Sequence, residues 1–133
     1  MTTLTADEIR SRVETDWNRI VKVLAEKVAL QSISAKGITA EHMKRSAEFV
    51  ADELRLVGVD TKVVQASNAD GTPGAWEVIG SHIVSPDAPT VLLYAHHDVQ
   101  PVPDPPEWNT DPFVASEIDG RLHGRGSAEV GVG

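Results

Sequence analysis

The 133-residue sequence has no cysteine, few aromatic residues and a shortage of basic side chains. The absence of cysteine excludes disulfide bonds and thiolate chemistry. Lys and Arg number 12 against 20 Asp and Glu, which gives a formal net charge of −8. Because phosphate binding requires clustered basic side chains, this balance argues against nucleic acid as a partner. No apolar run approaches the roughly 18 residues of a membrane span, so we expect no membrane partner.

The N-terminal residues 1–8 lack the basic and apolar regions of a secretory signal peptide. The sequence is 41% hydrophobic and 24% charged, which is ordinary for a globular protein. Its length suits one small domain. These features predict a cytoplasmic protein with residues 1–133 in a single folded unit.

The first segment has the pattern of an amphipathic helix. Thr5 and Glu8 have the spacing of a capping box, which marks a helix start. Apolar residues then recur every three or four positions, which predicts one buried helix face extending to about Leu30. The residues of this face are Ile9, Val13, Trp17, Ile20, Leu24 and Val28.

A second helix is predicted from Thr39, with Gly58 as the residue that ends it. Its expected buried residues are Met43, Ala47, Val50, Ala51 and Leu54.

After Gly58 the pattern becomes that of β-structure. Strands are predicted near residues 60–66, 75–84 and 90–95, separated by turn-rich segments. Asp119-Gly120 predicts a tight hairpin between residues 116–118 and 121–123. Two helices followed by a mixed sheet place the chain in the α/β class.

The segment with the most chemical information begins with the apolar run 91–95, a pattern typical of a strand buried on both faces. The run ends in His96, His97 and Asp98, at the strand end where open α/β sheets place ligands. Neutral histidine is the commonest metal ligand, and a nearby carboxylate commonly orients such a ring. A metal site and a surface loop with a hydrogen-bonded histidine are both consistent with this spacing alone. For His97, between the two, a structural role is favoured over a catalytic one.

Two further motifs follow in a fixed order. Trp108-Asn109-Thr110-Asp111-Pro112-Phe113 comes first, and Asp119-Gly120-Arg121-Leu122-His123-Gly124-Arg125-Gly126-Ser127-Ala128 comes next. A third motif, Ala95-His96-His97-Asp98-Val99-Gln100-Pro101, precedes them. The three motifs in this order resemble those of the zinc-dependent aminoacylase and dipeptidase family of co-catalytic metallopeptidases. Members of this family include carnosine dipeptidases and carboxypeptidase G-like enzymes. The Asp-Val-Gln-Pro segment is most similar to the dipeptidase branch. The resemblance implies the N-terminal part of a three-layer catalytic domain.

The resemblance also implies site residues and a cofactor. It assigns a metal-ligand role to His96, and a catalytic role to Asp98, which holds the imidazole. The position of the family's bridging aspartate is taken by Glu129, whose extra methylene displaces the carboxylate. Two zinc ions are implied, with cobalt or manganese as possible substitutes. Arg125 suits a substrate contact and a loop-stabilising role equally well.

The implied reaction is hydrolysis of the amide bond of a dipeptide or an N-acyl amino acid. The family's Asp-Asp-Lys-Gly is replaced by Glu129-Val130-Gly131-Val132-Gly133, and the family's general base and remaining ligands are not identifiable. We therefore expect the second half of the catalytic domain and the dimerisation domain to be absent, and the fragment to be inactive alone. Intact members of the family are often homodimers. The alternative is a non-catalytic remnant or a weak metal-binding module.

Overall fold

The computed structural model describes residues 4–104 and 107–129. Two long helices come first and two short antiparallel strand pairs follow. The elements are α1 (Ala6–Ala29), a 3₁₀ turn (Ser34–Lys36), α2 (Glu41–Leu56), β1 (Asp60–Ser67), β2 (Pro73–Ser81), β3 (Ser116–Ile118) and β4 (Arg121–His123). The predicted α/β class is confirmed.

Helix α1 begins where the capping box predicts. The Thr5 hydroxyl accepts a hydrogen bond from the Glu8 amide at 3.3 Å, and the Glu8 carboxylate accepts one from the Thr5 amide at 2.8 Å. Only the C-terminal end of its apolar face is covered, because Val28 is buried whereas Trp17 is 56% exposed. The prediction of a fully buried face was therefore wrong for its N-terminal half, namely Ile9, Val13, Trp17 and Ile20.

Helix α2 packs against strands β1 and β2. It starts at Glu41, two residues after the predicted position, and Gly58 follows its end with a φ of 86°. The left-handed conformation at this position explains why glycine ends the helix. The buried residues of α2 are Met43, Ser46, Ala47 and Ala51, so a serine shares the face predicted to be apolar.

Strands β1 and β2 pair antiparallel, with Val63 opposite Val78. The Thr61 hydroxyl is buried and donates to the Ala51 carbonyl at 3.3 Å, which ties β1 to α2. The predicted hairpin β3–β4 forms as well. Its turn residues Asp119 and Gly120 have φ values of 51° and 72°, as a type I′ turn requires.

The predicted strand at residues 90–95 was wrong. Among the described residues no segment pairs with it, and the side chains of residues 91–94 are 76–91% exposed. A strand buried on both faces needs hydrogen-bonding neighbours at both edges. The local pattern predicts that kind of strand but cannot supply its neighbours. In the described part of the chain, both sheets are two-stranded and antiparallel, not mixed.

The buried core lies between the end of α1, the middle of α2 and the segment that follows His96. Its apolar residues are Val28, Ile33, Met43, Ala47, Ala51 and Val99. Val99 and Ile33 form an isolated parallel bridge, and the Val99 amide donates to the Ser32 carbonyl at 2.8 Å. Val99, which directly follows the His-x-Asp motif, is therefore part of the core. No helix among the described residues has the length and apolarity needed to cross a membrane.

The exposed apolar segment 91–94 generates a prediction. Unpaired apolar segments associate with other chains, so we expect the 133-residue chain to self-associate as its concentration rises. Replacing both Leu92 and Leu93 with lysine should reduce this association in light scattering and leave the helical circular dichroism unchanged. Leu56→Lys is the matched control, because Leu56 is also exposed (70%) but lies in helix α2. Equal association of the double variant and the control would contradict the prediction.

Candidate metal centre

His96 and Asp98 form a hydrogen-bonded pair. His96 Nδ1 lies 3.1 Å from Asp98 Oδ1 and 3.0 Å from the Asp98 carbonyl oxygen. Both neighbours are acceptors, so the hydrogen lies on Nδ1, and Nε2 of the neutral ring carries a lone pair. The two side chains are 38% and 35% exposed, so the pair lies partly at the surface. A carboxylate that fixes the tautomer of a ligating histidine is the usual arrangement at metal sites.

The pKa of Asp98 lies below its ordinary value. Burial acts to raise this pKa, but a hydrogen bond from the Ser34 hydroxyl, the attraction of the His96 ring when it is protonated, and hydrogen bonds from the Asp98 backbone and the His96 ring together outweigh it. Asp98 is therefore an anion at neutral pH, as a carboxylate that orients an imidazole must be.

Glu129 and Asp98 act on a common cation, Lys27, in the last turn of α1. Burial lowers the pKa of Lys27, and the negative charges of Glu129 and Asp98 act in the opposite direction. These two carboxylates come from segments far apart in sequence. Lys27 was not singled out by the sequence, because a lysine near a helix end is ordinarily a solvated residue.

The turn of Gly124, Arg125 and Gly126 packs directly on the core. A Cβ atom at Gly124 would lie 2.9 Å from Val28 Cγ1, and one at Gly126 would lie 2.8 Å from Val99 Cγ1. Both glycines are therefore required by close packing, and Gly126 also has a φ of 86°. This packing brings the third motif of the sequence against the end of the first.

Arg125 bonds to the backbone at two separate positions, Pro101 and Pro112. Its backbone amide donates to the Pro112 carbonyl at 2.6 Å, and its guanidinium donates to the Pro101 carbonyl at 3.1 Å. The same guanidinium lies 5.3 Å from the centre of the Trp108 ring. Of the two roles that the sequence allowed, these contacts support the loop-stabilising one. Arg125, Trp108 and Glu129 also line an open cavity of about 630 Å³.

Two serines that hold this segment, Ser32 and Ser46, were missed by sequence reasoning, whereas His97 has the kind of structural contacts that the sequence favoured. The hydroxyls of Ser32 and Ser46 lie 2.7 and 3.2 Å from the His97 carbonyl oxygen, and the His97 ring lies against α2 and β2. For Ser46 a signal existed, because it falls on the face of α2 that buries Met43 and Ala47. A buried hydroxyl must find a hydrogen-bond partner.

The described residues fit one ligand position of a metal centre and do not complete a centre. Within residues 4–104 and 107–129, no three His, Cys, Asp or Glu side chains gather to hold a metal ion. His96 offers a ligand and Asp98 orients it, whereas Glu129 does not join them in a three-residue cluster.

The chain is similar in sequence to known peptidases. Residues 92–130 match the model of peptidase family M20/M25/M40. The cysteinylglycine-S-conjugate dipeptidase of Corynebacterium striatum is 36% identical over 112 residues, which are 84% of this chain and 23% of that protein. The β-Ala-His dipeptidase of Rattus norvegicus is 29% identical over 132 residues, which are 94% of this chain and 27% of that protein.

A solved structure agrees with the sequence matches. The crystal structure of human carnosine dipeptidase 1 superposes with a TM-score of 0.79 at 27% identity, over 95% of this chain and 28% of that one. This chain carries a segment of the M20 peptidase family. The resemblance predicted from the three motifs is thereby confirmed. The chain spans about a quarter of the length of the relatives that it matches.

The lowered pKa of Asp98 predicts how the stability of the chain depends on pH. Because the folded-state pKa lies below the unfolded one, Asp98 contributes stability above its unfolded pKa, and this contribution is lost as pH falls through the folded pKa. Asp98→Asn should therefore lower the free energy of unfolding at neutral pH and flatten its dependence on acid. Urea unfolding between neutral and acidic pH measures this. An acid dependence equal to that of the parent would contradict it.

The contact between Gly126 and Val99 generates a second prediction. Gly126→Ala adds a steric conflict and a left-handed alanine, and we expect a loss of about 2–4 kcal/mol in stability. Val99→Ala removes the conflicting methyl, so the double variant should lose less than the sum of the two single variants. Gly120→Ala is the control, because its φ is 72° but no atom lies within 4 Å of the added Cβ. Additive losses in chemical denaturation would show that the two residues do not touch.

Proposed function

We propose that this chain forms the His-x-Asp part of the catalytic domain of a metal-dependent dipeptidase, which hydrolyses the amide bond of a dipeptide or an N-acyl amino acid. The observation that carries the proposal is the partly exposed His96–Asp98 pair, in which Nδ1 is held and Nε2 carries the lone pair. The dipeptidase names of the relatives support the substrate class.

Each residue has a defined part in this proposal. His96 presents Nε2 to a divalent metal ion, and Asp98 keeps the hydrogen on Nδ1. Glu129 takes the sequence position of the family's bridging aspartate. Its negative charge, like that of Asp98, acts on Lys27. A pair of zinc ions, or of cobalt or manganese ions, supplies Lewis-acid activation of the carbonyl and of water when it is bound.

A second candidate is a non-catalytic, weak metal-binding module. The incomplete ligand set among the described residues favours it, because a single histidine with its carboxylate holds a metal weakly. The two candidates share the role of His96 and differ in whether the 133 residues hydrolyse anything.

Cobalt binding tests the shared role. We expect the chain to bind Co²⁺ weakly, His96→Ala to abolish binding, and Asp98→Asn to weaken it by about 10- to 100-fold. His82→Ala is the matched control, because the His82 ring also bonds a carbonyl oxygen, that of Gly58 at 2.9 Å. Isothermal titration and the visible cobalt spectrum measure the affinity. Equal binding by the parent and His96→Ala would remove His96 from the metal site.

Hydrolysis separates the two candidates. With zinc or manganese added, we expect the 133-residue chain to leave β-Ala-His and Cys-Gly uncleaved, because one ligand and no identified general base cannot assemble a two-metal site. Amino-acid release followed by chromatography is the measurement. Turnover that disappears in His96→Ala would show that these residues contain a complete active site.

A further inference from the structure

His97 lies between the two residues of the pair, and its ring is held at both nitrogens. Nε2 lies 3.0 Å from the Trp76 carbonyl oxygen in β2, and Nδ1 lies 3.0 Å from the Ser46 hydroxyl in α2. The carbonyl can only accept, so the hydrogen lies on Nε2. In the neutral ring Nδ1 is an acceptor, so the single Ser46 hydroxyl hydrogen is shared between Nδ1 at 3.0 Å and the His97 carbonyl oxygen at 3.2 Å. One imidazole thus joins the helix, the sheet and the segment that contains the pair.

Two further contacts hold the backbone that follows the Cα atom of His97, and the ring contacts act together with them. The Ser32 hydroxyl donates to the His97 carbonyl at 2.7 Å, and the Val99 amide donates to the Ser32 carbonyl at 2.8 Å. Ser32, Ser46 and Val99 are all at least 95% buried. Residues 97 and 99 are therefore fixed, and Asp98 is held between them.

We propose that His97 is the positioning residue of the His96–Asp98 pair, through its ring bonds to Ser46 and Trp76. His96 and Asp98 each neighbour His97 directly in sequence. A rotation of the backbone at residue 97 moves their side chains relative to each other. The His96–Asp98 contact at 3.1 Å, and with it the tautomer of His96, depends on this fixed backbone. The expected consequence for metal affinity rests on the proposed function, whereas the tautomer does not.

A merely structural role makes a different prediction. If His97 only stabilises the fold, its loss lowers the free energy of unfolding and leaves the state of the His96 ring unchanged in folded molecules. If His97 positions the pair, the His96 ring changes while the fold persists. The protonation pattern of the His96 ring nitrogens therefore separates the two roles.

The experiment uses the ¹⁵N-labelled 133-residue chain without metal. Two-dimensional ¹H–¹⁵N spectra of the histidine rings should show His96 as a single Nδ1–H tautomer in the parent. His97→Ala should give a mixture of tautomers with retained helical circular dichroism. His97→Gln should restore the parent pattern in part, because its amide can donate to the Trp76 carbonyl. Ser46→Ala should act in the same direction as His97→Ala, and the double variant should be no worse than His97→Ala. His82→Ala is the control and should change nothing at His96.

Co²⁺ titration supplies the second readout. His97→Ala should weaken cobalt binding by at most about 10- to 100-fold, the effect expected when Asp98 no longer holds the His96 ring. If the parent binds no cobalt, the proposed function fails, and the His96 tautomer still decides the positioning role. If His97→Ala does not fold, Ser46→Ala and His97→Gln provide the test. A parent-like His96 tautomer in folded His97→Ala, or in Ser46→Ala when His97→Ala is unfolded, would overturn the proposal.

Discussion

The attachment of residues 97–99 to Ser32, in the loop after α1, and to Ser46, in α2, is the constraint on which the candidate centre depends. The Val99 amide donates to the Ser32 carbonyl at 2.8 Å, and the buried Val99 side chain packs where Gly126 leaves no room for a Cβ atom. A segment with an exposed apolar run on its N-terminal side and a proline-rich loop on its C-terminal side is thus fixed at one point. His96 and Asp98 lie at this point, so the packing of the core also fixes the positions of the pair.

Polar contacts contribute much of this attachment, because the apolar core is small. Ser32 and Ser46 are 3% and 0% exposed, and each donates a hydrogen bond that water cannot replace. A buried polar group left without a partner costs about 1–3 kcal/mol, which is a large share of the stability of a small domain. The same cost makes these contacts specific: an arrangement of the segment that leaves either hydroxyl unpaired is disfavoured.

Residues 91–94 and the N-terminal face of α1 have the patterns of buried elements and lie exposed in the described structure. The human carnosine dipeptidase 1 structure contains this fold in 28% of its chain. Burial on both faces of a strand requires neighbours, and neighbours come from tertiary structure and not from the local pattern.

The sequence alone determined the features that depend on near neighbours in the chain. The Thr5–Glu8 capping box and the turn at Asp119-Gly120 each involve residues within a few positions, so their geometry follows from local backbone rules. Tertiary structure alone decided which apolar residues are covered, because burial depends on what packs against them. It also decided that Ser46 bonds His97 and that Lys27 lies in the field of Asp98, since hydrogen bonds and charges act between groups that only folding brings together.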